Sequence, residues 1–303
     1  MAKIKEFIEY LSAEEYTGLF REACEKGWEN IKDQYGDLDV RETIQEVHLA
    51  QKERTCDYSI KVEMEKDPHM KEYWLELDDT ACGKLPIEPC WFVDAQKAVP
   101  GEKNDWIYER VFRKKLTEEE IQSIRPMLDI CIGLLKGKNE SLFQLGIMEG
   151  RGEKSVRLFT SELSKNDFLE YLRELKWEGN IEELEKWLTK LEPYAERKQF
   201  ILDFDVFSRG ISEKIGINFG TRNKKESTVT EFLDFLVKSK LCLESKAEDV
   251  KRWIQRYPSH TPFIENDISH FKLPFADGRV TDAKAYLRQG TIPYVEPLVY
   301  ETP

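Results

Sequence analysis

Five basic side chains and one phenol fall on the polar faces of predicted strands: Arg157, Lys214, Lys272, Lys284, Arg288 and Tyr286. Strand side chains alternate between two faces, so the period-two pattern sorts each strand into an apolar and a polar side. In Ile268–Ala276, Phe271, Leu273 and Phe275 oppose His270 and Lys272. In the partner strand, Ala283, Ala285 and Leu287 oppose Lys284, Tyr286 and Arg288. Cations gathered on an internal face of an acidic protein suit an enclosed site for a small anion. The same alternation also fits a solvated strand face that binds nothing. His270 flanks Lys272 and has the chemistry of a proton acceptor near neutral pH, or of a hydrogen-bonded structural residue. Asp203 and Asp205 share a face two residues apart; they suit a metal, the orientation of neighbouring lysines, or ion pairs with Lys214 across a hairpin.

The elements that must position these groups can be read from turns and caps. Asp277-Gly278 joins the two strands of Ile268–Arg288, a strong hairpin signal. Two earlier hairpins precede it, Leu142–Met148 with Ser155–Glu162 across Gly150-Arg151-Gly152, and Phe200–Phe207 with Lys214–Thr221 across Arg209-Gly210. Helices lie between them: one capped by Ser164 and running to Lys176, one capped by Asn180 and running to Leu191, then Thr228–Ser239 and Ser245–Tyr257. The hairpin–helix–helix unit thus recurs at roughly 60 residues, longer than the common short solenoid repeats.

Earlier in the chain, residues 4–34 read as one or two amphipathic helices, with a capping box at Ser12–Glu15. Strands are expected at Thr43–Ala50, Asp57–Glu65, Tyr73–Asp78, Trp91–Lys97 and Trp106–Phe112, and a helix at Leu116–Lys136 capped by Thr117. Trp74, Trp91 and Trp106 suit either core packing or an acceptor pocket, and Trp177 and Trp187 suit packing of helices onto the sheet. The division expected is a single domain over 1–303: N-terminal helices to residue 40, first strands over 41–113, repeated helix–hairpin units over 114–290, and a tail over 291–303.

The formal charge of −12 and the pI near 5.1 argue against nucleic acid or anionic membrane as partner. Six cysteines without a C-x-x-C pair suit reduced thiols and no zinc site. With no signal-peptide apolar region and no long uncharged stretch, a soluble cytoplasmic protein is expected. No metal site is expected: Asp78-Asp79 lacks a second aspartate at helical spacing, and His48, His69 and His260 have no ligand spacing.

The apolar strand faces need a cover, and the amphipathic helices supply it in an α+β fold. Two arrangements satisfy the pattern: an open sheet with its polar face in solvent, or a sheet closed on itself around a polar lumen. About ten strands suffice for an antiparallel barrel with a ligand-sized interior, surrounded by helices.

The pairs LFQLGIMEG/KSVRLFTSEL, FILDFDVFSRG/EKIGINFG and HFKLPFADG/DAKAYLRQG, set among repeated helices, resemble the ABBA, or PT-barrel, aromatic prenyltransferases. Residues 142–290 look most similar to the cyanobactin-type branch, which modifies ribosomally made peptides. The resemblance implies a closed barrel of repeated α-β-β-α units and an allylic diphosphate, dimethylallyl or geranyl, as co-substrate. It implies that Arg157, Lys214, Lys272, Lys284, Tyr286 and Arg288 hold the diphosphate, with Lys284-x-Tyr286 as the family's Lys-x-Tyr pattern. It further implies an acidic residue on an early strand beside the acceptor nucleophile, here Glu63, with Glu65 or Glu46 behind it; His270, from its own chemistry beside Lys272, is a second catalytic candidate. The acceptor implied is a peptide side chain or a small aromatic molecule, and Mg2+ can accompany the diphosphate without a dedicated protein cage. The alternatives are a non-catalytic barrel that holds a peptide or another enzyme, and an unrelated enzyme on an open sheet.

Overall fold

The structure is a computed structural model that describes residues 2–12, 28–52, 56–63, 72–78, 88–100, 102–138, 142–148, 154–221, 224–255 and 264–291. Four strands come from the first half of the chain: β1 (Glu42–His48), β2 (Cys56–Glu63), β3 (Glu72–Leu77) and β4 (Cys90–Asp94). Six come from the three later hairpins: β5 (Leu142–Ile147) and β6 (Val156–Thr160), β7 (Gln199–Phe207) and β8 (Gly210–Phe219), β9 (Ile264–Ala276) and β10 (Lys284–Thr291). Each is antiparallel to its neighbours, in the order β8-β7-β6-β5-β4-β3-β2-β1-β10-β9. The ring then closes, because β8 also pairs with β9 from Ile215↔Phe275 to Phe219↔Phe271. The result is a closed ten-stranded barrel, so the open-sheet alternative falls.

Alternation within each strand decides what faces out. Leu202, Phe204, Val206, Ile215, Ile217, Phe271, Leu273 and Phe275 are buried in one continuous core outside the barrel. Helices α1 (Ile4–Ser12), α2 (Glu29–Tyr35), α3 (Glu118–Gly133), α4 (Lys165–Glu174), α5 (Ile181–Leu191), α6 (Glu226–Lys238) and α7 (Glu244–Gln255) supply that core's other wall. Their caps follow the sequence: Thr117 and Glu120 form a capping box on α3, while Ser164 and Asn180 accept from the third residue of α4 and α5. A run of edge-to-face rings stitches these layers together, Phe168 to Phe200 to Phe219 to Phe232 to Phe271, with centroids 4.9–6.4 Å apart.

The Asp277-Gly278 turn is a two-residue loop, since Ala276 pairs with Arg279 and both central residues have positive φ, 52° and 71°. That is the backbone a right-twisted hairpin prefers, and Gly278 adopts it without a Cβ penalty. The expectation of a strand at Trp106–Phe112 is overturned. Ile107–Val111 is a wide helical turn and Phe112–Lys114 a tight one. The buried residues Ile107, Tyr108, Val111 and Phe112 repeat at helical spacing, and the aromatic and β-branched composition masked that period. The capping box expected at Ser12–Glu15 and much of the expected tail lie outside the described residues.

Cys56, Cys90, Cys131 and Cys242 are buried and form no disulfide. Among the described residues no helix is long and apolar enough to cross a membrane. Phe232 touches rings on α6, β8 and β9 at once and is fully buried. Phe232→Ala is therefore expected to cost about 3–5 kcal/mol, measured as a lowered urea midpoint with an unchanged slope.

Candidate functional site: the barrel lumen

The inner strand faces enclose a cavity of about 450 Å3. One part of its wall is apolar: Ile44, Trp74, Phe92 and Tyr286 form an internal cluster with Cys90 and Met148, and Phe159 packs on it. This cluster is separate from the core outside the barrel. Gly146 permits part of it, because a Cβ there would stand 2.5 Å from the Phe92 ring.

The remaining wall is charged, and its charges come in pairs. Arg157 on β6 makes two bonds to Asp205 on β7, of 2.9 and 2.8 Å. Lys272 on β9 reaches across β8 to Asp203, 2.8 Å away, and Arg157 Nε stands 3.9 Å from the same oxygen. Asn218 Nδ2 donates to the other Asp203 oxygen at 2.8 Å and to the Ile201 carbonyl at 3.0 Å. Gly216 makes this possible, since a Cβ there would meet Asp203 Oδ2 at 1.9 Å and Lys272 Cε at 2.7 Å. On the opposite side of Lys272, Lys284 on β10 holds Glu46 on β1, and Tyr286 donates a hydrogen bond to the same carboxylate. Elsewhere on the wall, Lys61 lies 2.9 Å from Glu72 and Arg288 lies 3.0 Å from Glu42.

Burial and these partners set the protonation states. Burial opposes charge on Glu46, but Lys284 and Lys272 outweigh it and hold the carboxyl well below its ordinary range. Burial likewise opposes charge on Asp203, and Lys272 and Arg157 outweigh it. Burial lowers Lys272, aided by the cations Arg157 and Lys284, against the pull of Asp203. Lys284 is raised: burial lowers it, and Glu46 overcomes that. Burial and then Glu46 push the Tyr286 phenol far up, so it remains a donor. His270 stacks on Tyr286 with centroids 4.0 Å apart, and burial together with Lys272 lowers it to about 4.

The lumen therefore gathers Arg157, Lys272, Lys284, Tyr286, Arg288 and His270 from the sequence-predicted set. Lys214 is not among them. The β7–β8 register shifts between Phe204 and Val206, and the backbone N–H of Asp205 donates to Ser212, whose hydroxyl donates to the Lys214 carbonyl. In this bulge Lys214 is exposed, and the partners of Asp203 and Asp205 are Lys272 and Arg157 instead. Glu63 ends β2 opposite Glu72, and its side chain, like all of Glu65, lies outside the described residues. Of the three candidate acids, Glu46 has a described side chain, and it lies in the lumen, where Glu42, Glu72 and Glu76 of the early strands also line the wall. With a pKa near 4, His270 is a neutral imidazole at pH 7 and a weak base there.

Trp74 lines the cavity, whereas Trp91 stacks on Tyr73 on the outer face and Trp106 packs against the outer core. Trp177 donates to the Glu213 carbonyl at 2.9 Å, and Trp187 packs on Phe235 of α6. Glu46, His48 and Asp57 place ligand atoms within 4.8 Å of one another. Glu46 is occupied by Lys284, and His48 Nδ1 is held 2.6 Å from Asp282. Glu46 and His48 thus already have side-chain partners.

No family model matches the chain, and no curated protein matches it. Solved structures similar to it include the following two. One is AnaPT from Neosartorya fischeri, at 12% identity and a TM-score of 0.46, covering 86% of this chain and 79% of that one. The other is the apo form of the prenyltransferase PriB, at 9% identity and a TM-score of 0.48, covering 94% and 92%. The fold itself rests on the strand register given above.

A neutral buried imidazole has a signature in stability. Its native pKa lies below the ordinary 6.5, so between those values the unfolded chain binds more protons and stability falls as pH falls. Between pH 7 and pH 5 the loss due to His270 is about 2 kcal/mol. His270→Phe, which keeps a ring on Tyr286, is expected to remove that part of the pH dependence, read from urea midpoints at the two pH values.

Proposed function

We propose that this barrel transfers an isoprenyl group from an allylic diphosphate to an aromatic or other nucleophilic side chain, with a ribosomal peptide as the acceptor. The observation that carries the reading is the convergence of Arg157, Lys272 and Lys284 on one part of an enclosed cavity whose other wall is aromatic. Lys272 and Lys284 are register partners, and Arg157 meets Lys272 at Asp203. Ionisation of the donor breaks its C–O bond, and the electron pair leaves on the diphosphate. Preorganised cations in a low-dielectric site stabilise that charge, and the phenol of Tyr286 adds a donor. The faces of Trp74, Phe92, Phe159 and Tyr286 suit a short-lived allylic cation, which the acceptor nucleophile captures.

Glu46 is the group in this reading that takes the acceptor's proton. A proton on a ring that has just formed a new carbon–carbon bond is strongly acidic, so a carboxylate with a depressed pKa suffices. His270 packs against Tyr286 and positions it. Arg288, paired with Glu42, is a further cation on the wall that receives the anion. Mg2+ belongs to this reading as a companion of the diphosphate.

A second reading, a barrel that holds a peptide or an enzyme without turnover, is favoured by one feature: Lys61, Arg157, Lys272, Lys284 and Arg288 each have a carboxylate partner. Under the first reading the flexible lysines exchange carboxylate for phosphate when the donor arrives. Calorimetry with dimethylallyl S-thiolodiphosphate is expected to show binding that weakens at least about tenfold in Lys284→Ala. Equal binding by wild type and variant, or none by either, would sink the diphosphate site. Binding without diphosphate release from the true donor, across a panel of aromatic peptides, would move the assignment to the second reading.

A further inference from the structure

The lysines and arginines on the lumen wall are already paired: Lys61, Arg157, Lys272, Lys284 and Arg288 each have a carboxylate partner. An anion that binds among them brings charge that the resting wall does not balance. His270 is different. Among the described residues it is the one histidine that lines the cavity, and no carboxylate is bonded to its ring. Its Nδ1 lies 3.1 Å from Ser269 Oγ, and its Nε2 has no hydrogen-bond partner. Lys272 stands two residues along the same strand face of β9. From β10 the Tyr286 ring stacks on the imidazole, with centroids 4.0 Å apart and planes 18° from parallel. Glu46 on β1 and Asp203 on β7 favour charge on the ring, and Lys272 opposes it. The imidazole is thus beside one of the cations proposed to hold the diphosphate, with one ring nitrogen unoccupied.

We infer that His270 is a further ligand of the diphosphate, one that takes up a proton as the anion binds and donates through Nε2 to a diphosphate oxygen. The inference rests on the prenyl-transfer reading for the identity of the anion, and it adds a residue and a proton to that site. Ser269 suits both states, because its hydroxyl can donate to Nδ1 of the neutral ring or accept from Nδ1–H of the charged one. The stacked phenol ring also favours the charged imidazole. The magnitude is adequate. Without a neighbouring anion, burial and Lys272 hold the ring at about 4. One negative charge about 4 Å away, at an effective dielectric of about 20, raises that by roughly three pH units, and a diphosphate carries more than one charge. The proton comes from solvent, stabilises the leaving group when the allylic C–O bond breaks, and returns to solvent as the diphosphate departs.

The chain has four histidines, so the His270 ring Cε1–H resonance is identified by its loss in His270→Phe or His270→Gln. In the protein alone that resonance is expected to stay at its neutral position between about pH 8 and pH 5.5. With saturating dimethylallyl S-thiolodiphosphate in metal-free buffer, it is expected to titrate with a midpoint near neutrality. Calorimetry in two buffers of different ionisation enthalpy reads the same event as heat. At about pH 6.5 the wild type is expected to take up about half a proton or more per ligand beyond the uptake of His270→Phe. Its affinity relative to that variant is expected to rise about tenfold from pH 8 to pH 6. No binding by the wild type removes the diphosphate site, and this proposal with it. Binding with the His270 resonance fixed at its neutral position down to about pH 6 overturns the proposal alone and leaves the diphosphate site standing. Equal proton uptake and equal pH dependence in wild type and variant do the same.

Discussion

The seam between β8 and β9 is the interaction on which the rest of the molecule depends. Five residue pairs close the ring there. Outward, Ile215, Ile217 and Phe219 meet Phe275, Leu273 and Phe271, and all six join the core under the helices. Inward, Gly216 and Asn218 face Pro274 and Lys272. One stretch of backbone pairing thus holds the apolar shell together and creates the enclosure. On an open sheet, the contact between Lys272 and Asp203 would be a surface ion pair worth about 0–1 kcal/mol. Inside the closed barrel the same groups lie out of water, and losing either one would strand a buried charge, a change that costs roughly 3–5 kcal/mol.

That geometry explains what the sequence could and could not disclose. The two-faced character of each ribbon is a local property, so Phe271, Leu273 and Phe275 could be told apart from His270 and Lys272 by counting. The Asp277-Gly278 turn and the caps Thr117, Ser164 and Asn180 are local as well, and the structure has them where the residues place them. Closure is not local. Nothing in Ile215–Phe219 says that its partner lies more than fifty residues further on, because an edge strand and a seam strand share the same alternation. The bulge that carries Lys214 outside was hidden for a related reason: a one-residue irregularity changes the destination of a side chain without changing composition. Trp106–Phe112 misled by composition, since ring-rich and β-branched residues favour strands while their spacing here is helical.

Glu46 illustrates a different limit. Its strand, Thr43–Ala50, was visible, and Glu46 stood among the candidate acids. Its rank depended on what lay opposite it, and those residues, Lys284 and Tyr286, come from the last hairpin of the chain. The carboxylate partners of Arg157 and Lys272 follow the same logic. A cationic face read from one strand at a time overstates the free positive charge, because the neutralising groups sit on neighbouring strands and alternate with equal regularity.

Pairing also sets how the lumen responds to a ligand. An unpaired lysine in such a space would lose its proton, so carboxylates are needed to keep the cations charged before anything binds. Lys284 shows this directly, since Glu46 raises it against burial, while Lys272 remains lowered by burial, which Asp203 opposes and Arg157 and Lys284 reinforce. The two lysines are therefore unequal. Lys284 is a firmly charged group tied to one acid and one phenol, and Lys272 is a more labile one at the junction of both charge networks. An arriving anion stabilises the charged form of Lys272 most, because that ammonium has the most to gain from a further negative neighbour.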